Sequence, residues 1–257
     1  MNRDELYELL EELYIRFNKV EFIEADPISI PHRYDSREDR EIAGLLAATI
    51  AWGNRKAIVK SANRMMEFMD NAPHAFVMGA SVAELEHLKG YVHRTFNGGD
   101  LIDFVYAMRG IFERWGSVGE LFEQSYLRNK SMVEAISEFR REFFLMPHEQ
   151  RCEKHISSID KGAACKRINM YLRWMVRRDD RGVDFGLWSM IPSSALYMPL
   201  DVHSGDVARH LGLLSRKQND WKAVSELTAA LREFDVDDPV KYDFALFGAG
   251  VDGVFKE

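Results

Sequence analysis

The sequence predicts an all-α fold, with ten or more helices and little or no sheet. Helix start signals recur along the chain, each with the three-residue spacing of a capping box: Ser36 with Asp39, Ser81 with Glu84, and Ser117 with Glu120. Apolar residues follow these signals at intervals of three and four, which places them on one face of a helix. Strand signals do not recur in this way, so helices are expected to supply nearly all of the regular structure.

Three apolar stripes predict the buried faces of individual helices. They comprise Leu45, Leu46, Thr49 and Ile50; Ile58, Ala62, Met65 and Met69; and Phe104, Ala107, Met108, Ile111 and Phe112. The longest irregular stretches are roughly 20–35, 146–160 and 179–201, which predict loops, the last with room for a short helix. No linker separates independent domains, and no repeat of fixed period occurs.

Composition excludes several classes of protein. The chain has 257 residues and 46% hydrophobic content, enough for one domain or two packed lobes. Cys152 and Cys165 form no close pair, which argues against a disulfide framework, a zinc knuckle and a four-cysteine cluster and predicts two free thiols. Acids interrupt the amino-terminal apolar pattern, which argues against a signal peptide, and no apolar run is long enough to predict a membrane span. We therefore expect a cytoplasmic location. We also expect a monomer.

The charge is unevenly distributed. The net charge of −7 weighs against a generally nucleic-acid-binding surface. Two stretches are nevertheless basic: residues 52–66 hold four cations and no acid, and residues 161–181 hold seven cations and two acids. Two interpretations stay open, solvated helix faces or phosphate-binding surfaces.

The segment MPLDVHSGDVARHLGLL, residues 198–214, is the most informative. Asp201 follows an apolar approach and precedes a helix that should end near Gly212, so its carboxylate would face the positive end of that helix. Capping alone explains an aspartate at this position. A catalytic role is compatible with capping, because a carboxylate has two oxygens.

Two segments together resemble the helix-hairpin-helix DNA glycosylases, in particular the 8-oxoguanine branch. The Asp-Val-His at 201–203, after a proline and an apolar residue, resembles the family's catalytic aspartate motif. GAACKRINMYLRWMVR, residues 162–177, resembles the second half of its hairpin, where a Gly-apolar-Gly-x-Lys turn opens a helix; Ala164 replaces the second glycine. The 35 residues between Lys166 and Asp201 are closer to the spacing of archaeal 8-oxoguanine glycosylases. The chain also resembles a bacterial family related to these enzymes, whose activity is implied by kinship alone.

The resemblance implies that Lys166 is a nucleophile and Asp201 its partner. A glycosylase that is also a lyase attacks the anomeric carbon of the sugar with an amine, and an aspartate stabilises the positive charge that develops there. The helix start and the cations Lys161 and Arg167 are expected to disfavour the charged form of the Lys166 amine. Lys161 is the alternative nucleophile if the register is shifted.

The segment DDPVKYDFALFGAGV, residues 237–251, resembles the last helix of the same enzymes, which grips the extruded base. Asp238 before Pro239 predicts the helix start, and Gly248 and Gly250 are predicted to stop it. Asp243 and Phe247 then lie one turn apart on one face. By the resemblance, Phe247 stacks on the base and Asp243 accepts hydrogen bonds from guanine N1 and N2. The alternative is a core phenylalanine and a paired surface acid.

Residues 50–66 resemble the family's helix and turn that fill the space of the flipped base. Asn54 matches the inserted wedge, with Arg55 and Lys56 beside it and Arg167 elsewhere as DNA contacts, while Trp52 is equally compatible with the core. His203 matches a phosphate-contacting position.

The resemblance implies a two-lobed helix-hairpin-helix glycosylase fold, with one lobe at about 40–175 and the other formed by 1–39 plus 176–257. It implies a bifunctional glycosylase and AP lyase that removes an oxidised purine from damaged DNA, with no metal and no organic cofactor. Two alternatives stay open, namely a non-catalytic DNA-structure-binding protein that kept the fold and a helical scaffold for another protein. A covalent adduct with DNA separates the enzyme from both.

Overall fold

A computed structural model of the chain describes residues 1–255 and confirms the all-α fold. Its α-helices are α1 (Arg3–Phe17), α2 (Glu21–Glu24), α3 (Arg37–Thr49), α4 (Arg55–Phe68), α5 (Pro73–Gly79), α6 (Val82–His87), α7 (Gly98–Trp115), α8 (Val118–Asn129), α9 (Met132–Phe143), α10 (Lys166–Val176), α11 (Val202–His210), α12 (Trp221–Arg232) and α13 (Tyr242–Asp252). Short 3₁₀ turns cover Pro27–Ser29, Pro31–Arg33, Leu88–Gly90, Gln150–His155, Ser193–Ala195 and Pro239–Lys241. The one sheet in this part of the chain pairs β1 (Val92–His93) with β2 (Phe96–Asn97) in antiparallel register. No helix among residues 1–255 is long and apolar enough to span a bilayer.

The chain divides into two compact units. One is the central unit, Ile23–Ser157, and the other is the terminal unit, Met1–Phe22 together with the chain from Ser158 onward. The sequence placed its boundaries at 40 and 175, which put α10 in the first lobe. In the structure α10 belongs to the terminal unit, where Arg173 pairs with Asp184 and Asp243.

The central unit is built on the predicted apolar stripes. Every residue of the three stripes is buried, on or directly after α3, α4 and α7. Ser36, Ser81 and Ser117 accept hydrogen bonds from the backbone N–H three residues on, which confirms the three predicted helix starts. Cys152 lies in this unit and Cys165 in the other, and both are buried free thiols, as predicted.

The terminal unit is organised around α13, which packs against α1 and α11. The prediction that Gly248 and Gly250 stop this helix is wrong, because α13 continues to Asp252 and ends at Gly253 with a left-handed φ of 70°. A Cβ on Gly248 would lie 2.3 Å from the Phe17 ring, and one on Gly250 would lie 2.9 Å from the His203 carbonyl oxygen. These glycines therefore allow close helix packing. A glycine that serves this purpose cannot be distinguished, from the sequence alone, from a glycine that ends a helix.

The start of α13 also differs from the prediction. Asp238 and Pro239 begin a 3₁₀ turn, and α13 itself starts at Tyr242. The Asp238 side chain makes no capping hydrogen bond and instead accepts one from Arg177 Nε at 2.8 Å. The Asp238 carboxylate therefore pairs with Arg177 instead of capping the helix, as its position before Pro239 had suggested.

Candidate functional site

Asp201 is the N-cap of α11 and uses its two carboxylate oxygens differently. Oδ1 accepts hydrogen bonds from the Ser204 backbone N–H at 3.0 Å and from the Ser204 hydroxyl at 3.2 Å. In return, the Asp201 N–H donates to Ser204 Oγ, so the capping box is complete. The predicted capping role is therefore confirmed, and the cap holds the carboxylate in one orientation with Oδ2 left for another partner.

That partner is Lys166, whose ammonium nitrogen lies 3.8 Å from Asp201 Oδ2. Lys166 is the first residue of α10, and the amine also donates to the sulfur of Met170, one helical turn on, at 3.4 Å. Both charged side chains are about a quarter exposed. A partly exposed ion pair of this kind contributes about 1 kcal/mol or less to stability.

The turn before Lys166 is fixed to the rest of the terminal unit. Cys165 is in the left-handed region with φ 50°, and Gly162 has φ 78°. The Trp221 N–H donates to the Gly162 carbonyl at 2.9 Å, and the Asn169 amide donates to the Ala164 carbonyl. Backbone and side-chain bonds thus anchor the turn on both sides, which positions the Lys166 side chain.

Lys161, the alternative nucleophile, lies in the exposed turn that precedes this segment. Within residues 1–255 it makes no ion pair, whereas Lys166 faces Asp201. The geometry therefore favours Lys166 over Lys161 as the amine that works with Asp201.

Aromatic rings border the Lys166 amine. Phe247 is half-buried on α13, and its ring centroid lies 5.8 Å from Lys166 Nζ. The His203 ring meets Phe247 edge-on at 6.2 Å between centroids. The structure thus brings four of the sequence-predicted residues to one place: Lys166, Asp201, His203 and Phe247.

Asp243 lies one turn before Phe247 and is buried beneath the amine. Its Oδ2 accepts a hydrogen bond from Arg173 Nη1, and its side chain is 7% exposed. Burial raises the pKa of Asp243 to about 6; the nearby cations Arg173 and Lys166 lower it, and Asp201 adds to the increase. Asp243 is therefore electrostatically coupled to both members of the Lys166–Asp201 pair.

Arg173 belongs to the basic stretch 161–181, for which the sequence left phosphate binding open, yet it links this carboxylate to a buried ionic cluster. The Arg173 guanidinium also donates to Asp184 at 3.3 Å and lies 4.2 Å from the Phe244 ring centroid. Arg177 bonds Asp184 as well, and the nearby acids raise its pKa above the usual range although burial opposes this. Arg173 lies on α10, where every residue from Ile168 to Val176 is buried, and Arg177 follows as the C-cap residue. The sequence signal for their burial is the mostly apolar segment INMYLRWMV, residues 168–176.

The buried cluster corrects the interpretation of the basic stretch 161–181. Arg173 and Arg177 are 4% and 0% exposed and are neutralised by aspartates of the same unit, so neither can contact a phosphate on the surface. Arg167 is half-buried, and burial lowers its pKa. Only part of this stretch is available to a nucleic acid.

The predicted wedge lies in the central unit. Asn54 is exposed, and its side chain caps α4 by accepting a hydrogen bond from the Ala57 N–H at 3.1 Å. Trp52 is half-buried, with its ring 6.1 Å from His155 and 5.2 Å from His93. Trp52 therefore packs against the interior of the unit, and Asn54 is exposed to solvent at the start of α4.

The exposed basic face beside Asn54 comes from α4. Lys56 and Lys60 are exposed and one turn apart, and neither makes an ion pair in the described part of the chain. Arg55 is half-buried at the first position of the helix. This face retains the charge that the sequence predicted for it.

The pKa of Asp243 predicts how stability depends on pH. Between its ordinary value of 3.8 and about 6, the folded protein binds a proton at Asp243 that the unfolded chain has already released. The free energy of unfolding should therefore fall as the pH rises through this window, by up to about 3 kcal/mol from this group. Denaturant unfolding at pH 4 to 7 should show that Asp243→Asn lacks this component. Asp237→Asn, which removes an exposed carboxyl, should retain it; equal slopes for all three proteins would contradict the assignment.

No group of three metal-ligating side chains is arranged to hold a metal ion among the described residues. The family model that matches the chain is described as a protein of unknown function (DUF2400) and covers residues 26–252. No curated protein and no solved structure matches the chain.

Proposed function

The chain belongs to the DUF2400 family, and we propose that it is a DNA glycosylase with AP lyase activity, acting on an oxidised purine through Lys166 and Asp201. One observation carries the proposal. An amine and a carboxylate that are 35 residues apart in the sequence lie 3.8 Å apart, on two helix starts that fix them both. Phe247 and Asp243 lie beside the pair, as a pocket for a planar base requires.

The proposed reaction begins when the Lys166 ammonium has given one proton to solvent and the free amine attacks C1′ of the deoxyribose. The new C–N bond replaces the glycosidic bond, and the base leaves with the electron pair and gains a proton. Ring opening converts the product to an imine between Lys166 and the sugar, from which β-elimination breaks the strand. Asp201 Oδ2 would stabilise the positive charge on the sugar while Oδ1 remains in the helix cap.

Base recognition would fall to Phe247 and Asp243. Phe247 is half-buried beside the amine, and stacking on its ring would offset the few kcal/mol that flipping a base costs. Arg173 holds Asp243 Oδ2, which leaves Oδ1 to accept from the N1 and N2 donors of a guanine edge. Because the carboxyl has a pKa of about 6, it would be mostly ionised at neutral pH.

A second candidate is a non-catalytic protein that binds DNA structures. Ala164 in place of the hairpin's second glycine and the net charge of −7 keep this candidate open. The burial of Arg173 and Arg177 weighs against DNA binding by this stretch in either candidate, because it removes two cations from the surface. A helical scaffold for another protein is the remaining alternative.

Borohydride trapping separates these candidates. The unaltered protein should form a reducible imine with duplex DNA that carries an abasic site, and lesion-containing duplexes should trap after the base is released. The covalent protein–DNA band is the readout. Failure to trap on any lesion or abasic site would refute the lyase mechanism, and salt-dependent binding without an adduct would then support the DNA-binding alternative.

We predict that the exposed face of α4 contacts phosphates. The double change Lys56→Glu with Lys60→Glu should weaken binding to any duplex and reduce the slope of log Kd against log salt by about 2, one phosphate contact per lysine. The matched control reverses two exposed cations of the same unit, Lys130→Glu with Arg141→Glu, and should retain the slope. Unchanged affinity and slope in the first variant would remove α4 from the DNA interface.

A further inference from the structure

A pocket of about 180 Å³ opens between α11 and the carboxy-terminal end of α13. One wall is a face of α11, where His203, Asp206 and His210 follow one another at helical spacing. Phe255 forms another wall, with its ring 5.0 Å from the His210 ring. The pocket therefore combines aromatic surfaces with a carboxylate.

The floor of the pocket is apolar, and the packing of two helices determines its depth. Val207 and Ala249 are buried, and Gly250 brings α13 against the backbone of His203. Gly253, at the end of α13, also lines the pocket and adds no side chain to it. The pocket is small, so it suits one planar ring and not an extended ligand.

Two features indicate which ring the pocket suits. Asp206 is highly exposed at its rim, and an ionised carboxylate can only accept hydrogen bonds. Its nearest cation, Arg209, is 3.5 Å away in an exposed pair that competes little for the carboxylate. Phe255 and His210 pack against each other and both line the pocket, so a flat heterocycle in it would meet aromatic surface.

We propose that this pocket binds a nucleobase with an exocyclic amino group, as adenine, cytosine and guanine have. The ring would stack against Phe255 and His210, and its amino group would donate to Asp206. His203 borders both this pocket and Phe247, so the occupant would be a base next to the one that is excised. That source of the base rests on the proposed function, whereas the chemistry of the pocket does not.

The test uses two probes that differ only at position 4 of the ring. The full chain, labelled with ¹⁵N, is titrated with 2′-deoxycytidine, which has an amino group there, and with 2′-deoxyzebularine, the 2-pyrimidinone analogue that has a hydrogen atom there and the same N3 acceptor. Deoxycytidine should shift the backbone amide signals of 203–210 and 249–253, with an affinity about fivefold to tenfold above that of deoxyzebularine. Asp206→Ala should abolish the difference, and Asp237→Ala, the same change at another exposed aspartate of this unit, should preserve it.

Equal affinities for the two probes, shifts confined to other residues, or no shifts at the highest soluble concentration would overturn the proposal. These outcomes are independent of borohydride trapping. A protein that traps but does not distinguish the probes retains the proposed function without this pocket. A protein that distinguishes them without ever trapping has a base-binding pocket and is not a lyase.

Discussion

Replacing Lys166 with glutamine is expected to abolish borohydride trapping and strand cleavage while binding to damaged DNA largely survives. Glutamine keeps a long polar side chain at the first position of α10 but has no amine that could form an imine. The Lys166–Asp201 ion pair is partly exposed and contributes little to stability, so the variant should fold as the unaltered protein does. Trapped adduct on an abasic-site duplex, measured beside an equilibrium binding curve, separates lost chemistry from lost affinity.

The matched control is Lys161→Gln, the same change five residues earlier on the exposed turn. It should trap at the unaltered rate, because Lys161 makes no ion pair with Asp201 in the described structure. The reverse result, with Lys166→Gln trapping normally and Lys161→Gln inactive, would make Lys161 the nucleophile. Loss of binding together with trapping would indicate that Lys166 holds DNA and is not the attacking group.

Short-range sequence patterns were sufficient to predict most of the helices and their buried faces. Hydroxyl caps and apolar stripes depend on residues three and four positions apart, and these relations survive in the structure because packing reinforces them. The glycines of α13 show where this fails. Gly248 is required by the ring of Phe17, more than 200 residues earlier in the chain, and no local pattern contains that contact.

The site was predictable where a motif is local and not where it depends on burial. Asp201 and Lys166 each stand at a helix start, and the structure brings them together. Arg173 looked like a surface cation, but Asp184, 11 residues later in the chain, and Asp243, 70 residues later, neutralise it in the interior. The sequence shows that a residue is charged, and only the tertiary structure shows whether its charge faces solvent.

The buried cluster also bears on how the pair would be tuned. Asp243 lies among groups of both signs. Arg173 and Lys166 lower its pKa, and Asp201 and Asp184 raise it. Protonation of Asp243 would remove one negative charge from the surroundings of Lys166. An enzyme built on this site would therefore be sensitive to pH near 6 through a residue that does not attack the substrate.

Replacing Asp201 with asparagine is expected to reduce the rate of base excision by about 10²-fold to 10³-fold, the usual cost of removing one preorganised electrostatic contact. The loss should appear in single-turnover kinetics and not in binding. Asparagine caps helices about as well as aspartate, and its side-chain oxygen can keep the hydrogen bonds that Oδ1 makes to Ser204. The change therefore removes the charge at Oδ2, 3.8 Å from Lys166, and leaves the start of α11 in place.

A second helix cap in the same unit provides the control for that experiment. Asp220 caps α12 by accepting a hydrogen bond from the Ala223 N–H at 3.1 Å, and it pairs with the half-buried Arg216. Asp220→Asn makes the same chemical change at a carboxylate that pairs with Arg216 and not with Lys166, so its excision rate should stay at the unaltered level. If Asp201→Asn unfolds the protein or leaves the rate unchanged, Asp201 is a structural cap and the proposed mechanism loses its electrostatic partner. If both variants lose activity equally, the effect comes from weakened helix starts and not from the carboxylate that faces the amine.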